Sequence, residues 1–111
     1  MLIKKAPAEG EIVVIKVSKN EEYIGKLKRV INQVGETEVI AELTLPLAVQ
    51  PMQDQQGNLA MGFVPYCFTA EDEEVFPFKG KLFVPRKDVI DGYRRQTSNL
   101  QLPESGIVLP K

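Results

Sequence analysis

The sequence predicts an all-β fold: a small, strongly bent, five-stranded antiparallel barrel followed by a short C-terminal helix and a tail. Three observations predict it. β-branched and aromatic residues gather in short runs. Gly, Pro and polar clusters separate those runs at hairpin spacing. Residues 38–47 (EVIAELTLPL) alternate, with Val39, Ala41, Leu43, Leu45 and Leu47 on one side. A length of 111 residues fits one domain, and 43% hydrophobic with 26% charged residues is ordinary globular usage. The expected division is a lead-in over 1–10, the barrel over 11–84, a short helix over 85–97 and an extended tail over 98–111.

Each element follows from its residues. Residues 11–17 (EIVVIKV) form a β-branched run bounded by Gly10 and by Ser18-Lys19-Asn20-Glu21, which reads as a strand and a tight turn. Residues 23–34 (YIGKLKRVINQV) resume as a second strand, where Gly25 marks a bend or a close backbone approach. The alternating third strand follows Gly35-Glu36-Thr37. Pro46 offers no N–H to a ladder, so this strand is expected to end there or to lie at an edge, before a long polar loop over 50–58. Residues 59–69 are the fourth strand, residues 70–74 (AEDEE) an acidic tip, and residues 75–84 the fifth strand, with Lys79 and Lys81 opposite Phe76, Phe78 and Leu82. Pro85 stops it. Val89, Ile90 and Tyr93 then make a one-sided stripe on a short helix.

Composition excludes several function classes. With 0 His and 1 Cys, the chain has neither a zinc set of the usual Cys/His kind, nor a disulfide framework, nor a His-based catalytic centre. No nucleophile–base pair, Gly-rich phosphate loop or metal spacing is visible, so no enzyme, cofactor or metal is expected. Cys67 reads as a packing residue within the fourth strand. No apolar run approaches a membrane span and no leader opens the chain, so the expectation is a soluble, cytoplasmic protein. Charge is segregated. Residues 31–78 hold 8 acids and no Lys or Arg, whereas the flanks are net positive. This stretch is either a negative patch suited to head-to-tail contact between copies or a solvated acidic surface.

Residues 19–30 (KNEEYIGKLKRV) are similar to the first half of the Sm motif, and Lys79-Gly80 in FPFKGKLFV resembles the basic-then-Gly step of its second half. Residues 84–103, with Pro65-Tyr66, resemble small Sm-like proteins encoded by tailed phages of marine bacteria. The resemblance spans residues 11–103. It implies an Sm-like (SH3-like) barrel and a cyclic homo-oligomer, of about five to seven copies, in which the fourth strand of one copy pairs with the fifth of the next. Phe63, Phe68, Phe76 and Phe78 on those strands are then candidate interface residues, or else fill the subunit's own core. Ile31 and Gly35 stand where the Sm pattern has Asp and Asn, so the implied uridine pocket lacks both.

Two binding functions follow. One is a ring associated with single-stranded RNA, with Asn32, Gln33 and Lys79 as polar contacts, Tyr66 and Phe68 as stacking faces, and Arg94 and Arg95 as basic tail contacts. The tip at Glu71-Asp72-Glu73-Glu74 argues against it by repelling phosphate. The other is a phage-encoded interaction or assembly scaffold, whose tail, with Leu100, Leu102, Ile107, Val108 and Leu109, docks on a neighbour by strand addition.

Overall fold

A computed structural model describes residues 7–53, 55–67, 69–71 and 73–100, the last two by backbone alone. Five antiparallel strands run β1 (Ile12–Ser18), β2 (Glu21–Gln33), β3 (Glu38–Gln53), β4 (Leu59–Pro65) and β5 (Val75–Phe83), followed by helix α1 (Lys87–Leu100). They form one sheet in the order β2-β1-β5-β3-β4, and β2 also pairs with β3. That pairing closes β1, β2, β3 and β5 into a barrel and leaves β4 as its appendage.

β1 is the centre of the fold, and its sequence says why. Val13 and Ile15 point into the barrel with Leu27, Ala41, Leu43 and Phe78. Ile12 and Val14 point the other way and join Ile24, Leu47, Val89 and Tyr93 under the helix. A strand buried on both faces has no polar side to present, so it reads as a continuous apolar run. The helix stripe is borne out: Val89 and Tyr93 are buried and Ile90 packs beside them. Each such side chain contributes about 1.5–3 kcal/mol on burial.

β3 serves three neighbours. Residues 38–44 pair with β5, residues 47–53 pair with β4, and β2 runs along the other side. The change of partner falls at Leu45, whose φ of 51° is left-handed. The register against β2 shifts here, between Ile24 and Lys26, so Gly25 faces a bulge made by Leu45 and Pro46 of β3. A Cβ on Gly25 would meet Leu43 and the Thr44 carbonyl, as the expected close approach requires. A left-handed Leu costs about 1–2 kcal/mol. The helix offsets this, because the Tyr93 hydroxyl donates to the Leu45 carbonyl at 2.7 Å.

Several expectations change. β3 does not end at Pro46; it runs to Gln53, with Pro46 taken up in the irregular step. Pro51 also lies within β3, opposite Met61, so the long loop over 50–58 shrinks to a hairpin connection. The fourth strand ends at Pro65 and leaves Cys67 exposed beyond it. The helix continues through 98–100, where an extended tail was expected; residues 101–111 lie outside the described residues. A bent open sheet would have two free ends. Here β5 lies between β1 and β3, so among the described residues β4 is the one strand at a sheet end.

Candidate nucleic-acid interface

Cross-strand register places the expected RNA contacts. Asn32 lies opposite Ile40, and Ile40 lies opposite Lys79. Residues directly opposite share a face. Asn32, Ile40 and Lys79 therefore form one row across β2, β3 and β5, on the outside of the barrel. The next row on that face is Glu38, Lys81, Lys16 and Glu22. Lys16 pairs with Glu22 at 3.3 Å, and Lys81 stands opposite Glu38. Among the described residues, no ion pair engages Lys79 or Lys81. Sequence reasoning had put these two lysines on one side of β5 but had not used Lys81 as a site residue; its two-residue spacing from Lys79 was the available signal.

Gly80 holds β5 against β1. A Cβ there would overlap the Lys16 carbonyl, so only glycine allows the strands to approach this closely between the two lysines.

The other expected contacts separate. Gln33 braces the β2–β3 turn, its Nε2 donating to the Gly35 carbonyl at 2.8 Å and to that of Glu36 at 3.3 Å. Tyr66 packs against Tyr23, Phe76 and Phe78 with ring centroids 5.2–5.4 Å apart. Phe78 points to the opposite face from Lys79, so Tyr66 is a lid on the barrel core and not a stacking platform beside the lysine. Phe68 lies outside the described residues. Arg94 and Arg95 are exposed on the helix, on a separate surface.

The proposed interface aromatics also move inward. Phe78 is buried in the barrel core and Phe76 packs on the same cluster. Phe63 packs under the helix, and its carbonyl accepts a hydrogen bond from Gln96 at 3.0 Å. The subunit's own core uses all three.

The acidic tip precedes β5, and Lys79 lies several residues along that strand. Glu74 is separated from Lys79 by five residues of extended chain, about 16 Å. The screening length at physiological salt is about 8 Å, so Glu74 is largely screened from Lys79.

Titration adds little here. Burial, with a smaller contribution from Glu21, raises the Tyr23 hydroxyl above its ordinary value. Burial raises that of Tyr93 strongly. A hydrogen bond from Thr69 lowers the exposed Cys67 thiol. Among the described residues, no group of three or more His, Cys, Asp or Glu converges as a metal set, and no helix is long and apolar enough to cross a membrane. No family model, curated protein or solved structure matches the chain.

Proposed function

We propose that the chain is a non-catalytic, Sm-like binding protein associated with single-stranded RNA. The observation that carries this reading is the row Asn32–Ile40–Lys79 with Lys81 beside it. Two cations that form no ion pair among the described residues, a side-chain amide and an apolar residue stand together on the outer sheet face. Cations neutralise phosphates, and an amide recognises base edges or sugar hydroxyls. Asn32 and Lys79 lie about 10 Å apart across two strand spacings, a span that suits a short single-stranded segment.

Salt-dependent fluorescence anisotropy with poly(U) and poly(A) tests this. Affinity should fall steeply with salt, and Lys79→Ala should reduce the slope of log K against log salt by about one unit. Lys81→Ala should act likewise, whereas Arg94→Ala should leave the slope unchanged. Flat anisotropy at low salt ends the RNA reading.

A second reading, a protein-interaction or assembly module, is favoured by a different observation. The β3–β4 hairpin exposes Met52, Leu59 and Met61, with Leu59 76% exposed. An apolar strand at a sheet end is a surface for association.

A further inference from the structure

We propose that β4 is the docking edge for a second copy of this chain, the two β4 strands pairing antiparallel about a two-fold axis at Ala60. The inference is independent of RNA binding and begins from the direction of backbone groups.

Tyr66 N–H donates to the Pro46 carbonyl, and Leu47 faces Pro65. Residues 46 and 66 are therefore a hydrogen-bonded pair. Antiparallel ladders alternate, so Leu47/Pro65, Val49/Phe63, Pro51/Met61 and Gln53/Leu59 are the non-bonded pairs. Leu59, Met61 and Phe63 thus aim both N–H and C=O away from β3, while Pro65 has no N–H to offer. The base of this edge is already closed, because Gln96 reaches from the helix to the Phe63 carbonyl. What remains open is short: both outward groups of Leu59 and Met61, and the N–H of Phe63.

That segment complements itself. With Ala60 on the axis, Leu59 of one copy faces Met61 of the other, and Met61 faces Leu59. Each facing pair exchanges two backbone bonds, so the contact supplies about four. The residue on the axis is small, as the narrow non-bonded separation there requires. Residues 55–70 contain no charged side chain, so the strands themselves oppose no like charges; Lys19 and Arg95 stand beside them, in the grooves lined by Leu59 and Met61 and by Met61 and Phe63. Natural edges are commonly guarded by charged residues on the strand itself, above all Lys, and β4 carries none of its own. Leu59 and Met61, 76% and 46% exposed, lose water when they meet.

A head-to-tail contact with β5 has less to work with. β5 is flanked by β3 over 75–81 and by β1 over 81–83, and the stretch left on its outer side contains Pro77, which has no donor. A two-fold contact needs no second edge.

Sedimentation velocity and equilibrium from micromolar to millimolar concentration test the proposal. The wild-type chain should form a dimer of twice 12.4 kDa. Met61→Pro removes an outward donor without touching the β3–β4 bonds made by Ala60 and Gly62. It should weaken the dimer at least about tenfold with unchanged far-ultraviolet circular dichroism. If that variant fails to fold, Ala60→Lys places two cations on the axis and should dissociate the dimer at low salt, with partial recovery at high salt. In the wild type, the Leu59 and Met61 amides should gain hydrogen-exchange protection with concentration while those of Ala60 and Gly62 stay constant. A solitary particle throughout, a ring of about five to seven copies, or a dimer indifferent to the substitution that folds would each overturn the proposal. Because anisotropy reads RNA separately, failure of either proposal leaves the other to its own test.

Discussion

β1 and β4 have the same length and a similar apolar content, yet one is the most buried strand and the other has no buried residue. In β1, residues 12–15 are all buried, with Val13 and Ile15 at 0% exposure. In β4, none of the seven residues is buried. Hydrophobicity alone does not separate them. β1 has a neighbour on each edge and a hydrophobic layer on each face. β4 has β3 on one edge and meets the helix mainly at Phe63. Their residue types reflect this difference. The β-branched run Ile12–Ile15 is stiff and fills space on both faces. The Ala, Met, Gly and Pro of β4 are compatible with a strand that packs on one side and is closed off at its base.

The largest test of that contrast truncates one side chain in each strand. Ile15→Ala empties part of the barrel core and should cost about 2–5 kcal/mol in urea unfolding. Leu59→Ala should stay within about 0.5 kcal/mol when measured on the monomer. A costly Leu59→Ala at high dilution would mean that β4 is packed in solution in a way this fold does not show.

A smaller effect comes from two strand glycines. Gly80→Ala drives a methyl into the Lys16 backbone, which cannot move without disturbing β1, and should cost about 1–3 kcal/mol. Gly62→Ala meets the Met52 side chain from Cγ outward, a flexible chain that can swing away. It should be near neutral, or stabilise slightly through the entropy of the unfolded chain. Equal penalties at the two sites would erase the distinction between a strand locked by backbone and one covered by a flexible side chain.

The smallest effect sharpens how the helix makes β1 two-sided. Tyr93→Phe removes the hydroxyl from the Leu45 carbonyl and should cost about 1 kcal/mol at neutral pH. The unfolded Tyr93 hydroxyl titrates near pH 10, and burial raises it in the folded chain. Above about pH 10 the unfolded chain releases a proton that the folded chain retains. Stability contributed by this group is complete below that pH and falls above it, by up to about 1.4 kcal/mol per pH unit. Tyr93→Phe should flatten that alkaline loss in part, since Tyr23 is raised as well.

Much of this architecture was legible in the residues. The run Ile12–Val17 and the alternation from Val39 to Leu43 marked strands, Gly25 marked a close approach, and Val89, Ile90 and Tyr93 marked the packed helix face. Pro46 and Pro51 misled for different reasons: Pro46 is absorbed in the irregular step beside Leu45, where β3 changes partner, and a proline such as Pro51 leaves a ladder intact where its missing N–H would not have pointed at a partner. Pro51 sits at a non-bonded position opposite Met61, and its effect depends on a register that local sequence does not carry. The candidate site was legible only in fragments. Asn32 and Lys79 are 47 positions apart and meet through Ile40. Gln33, next to Asn32, points to the other face and closes the turn. Tyr66 was recognisable as a flat side chain, but nothing around it in sequence says that Tyr23, Phe76 and Phe78 surround it.

By itself, the sequence determined where strands and helix form, which side of each is apolar, and how charge is segregated along the chain. These are properties of short windows, set by side-chain period, branching and the turn preferences of Gly and Pro. Tertiary structure decided which strand became central and which was left at the end, that β2 and β5 both close on β3, and that three phenylalanines serve the core. Every residue but proline carries the same backbone donor and acceptor. The choice of pairing partner is therefore made when all apolar faces compete at once for burial, and a local pattern does not record the outcome.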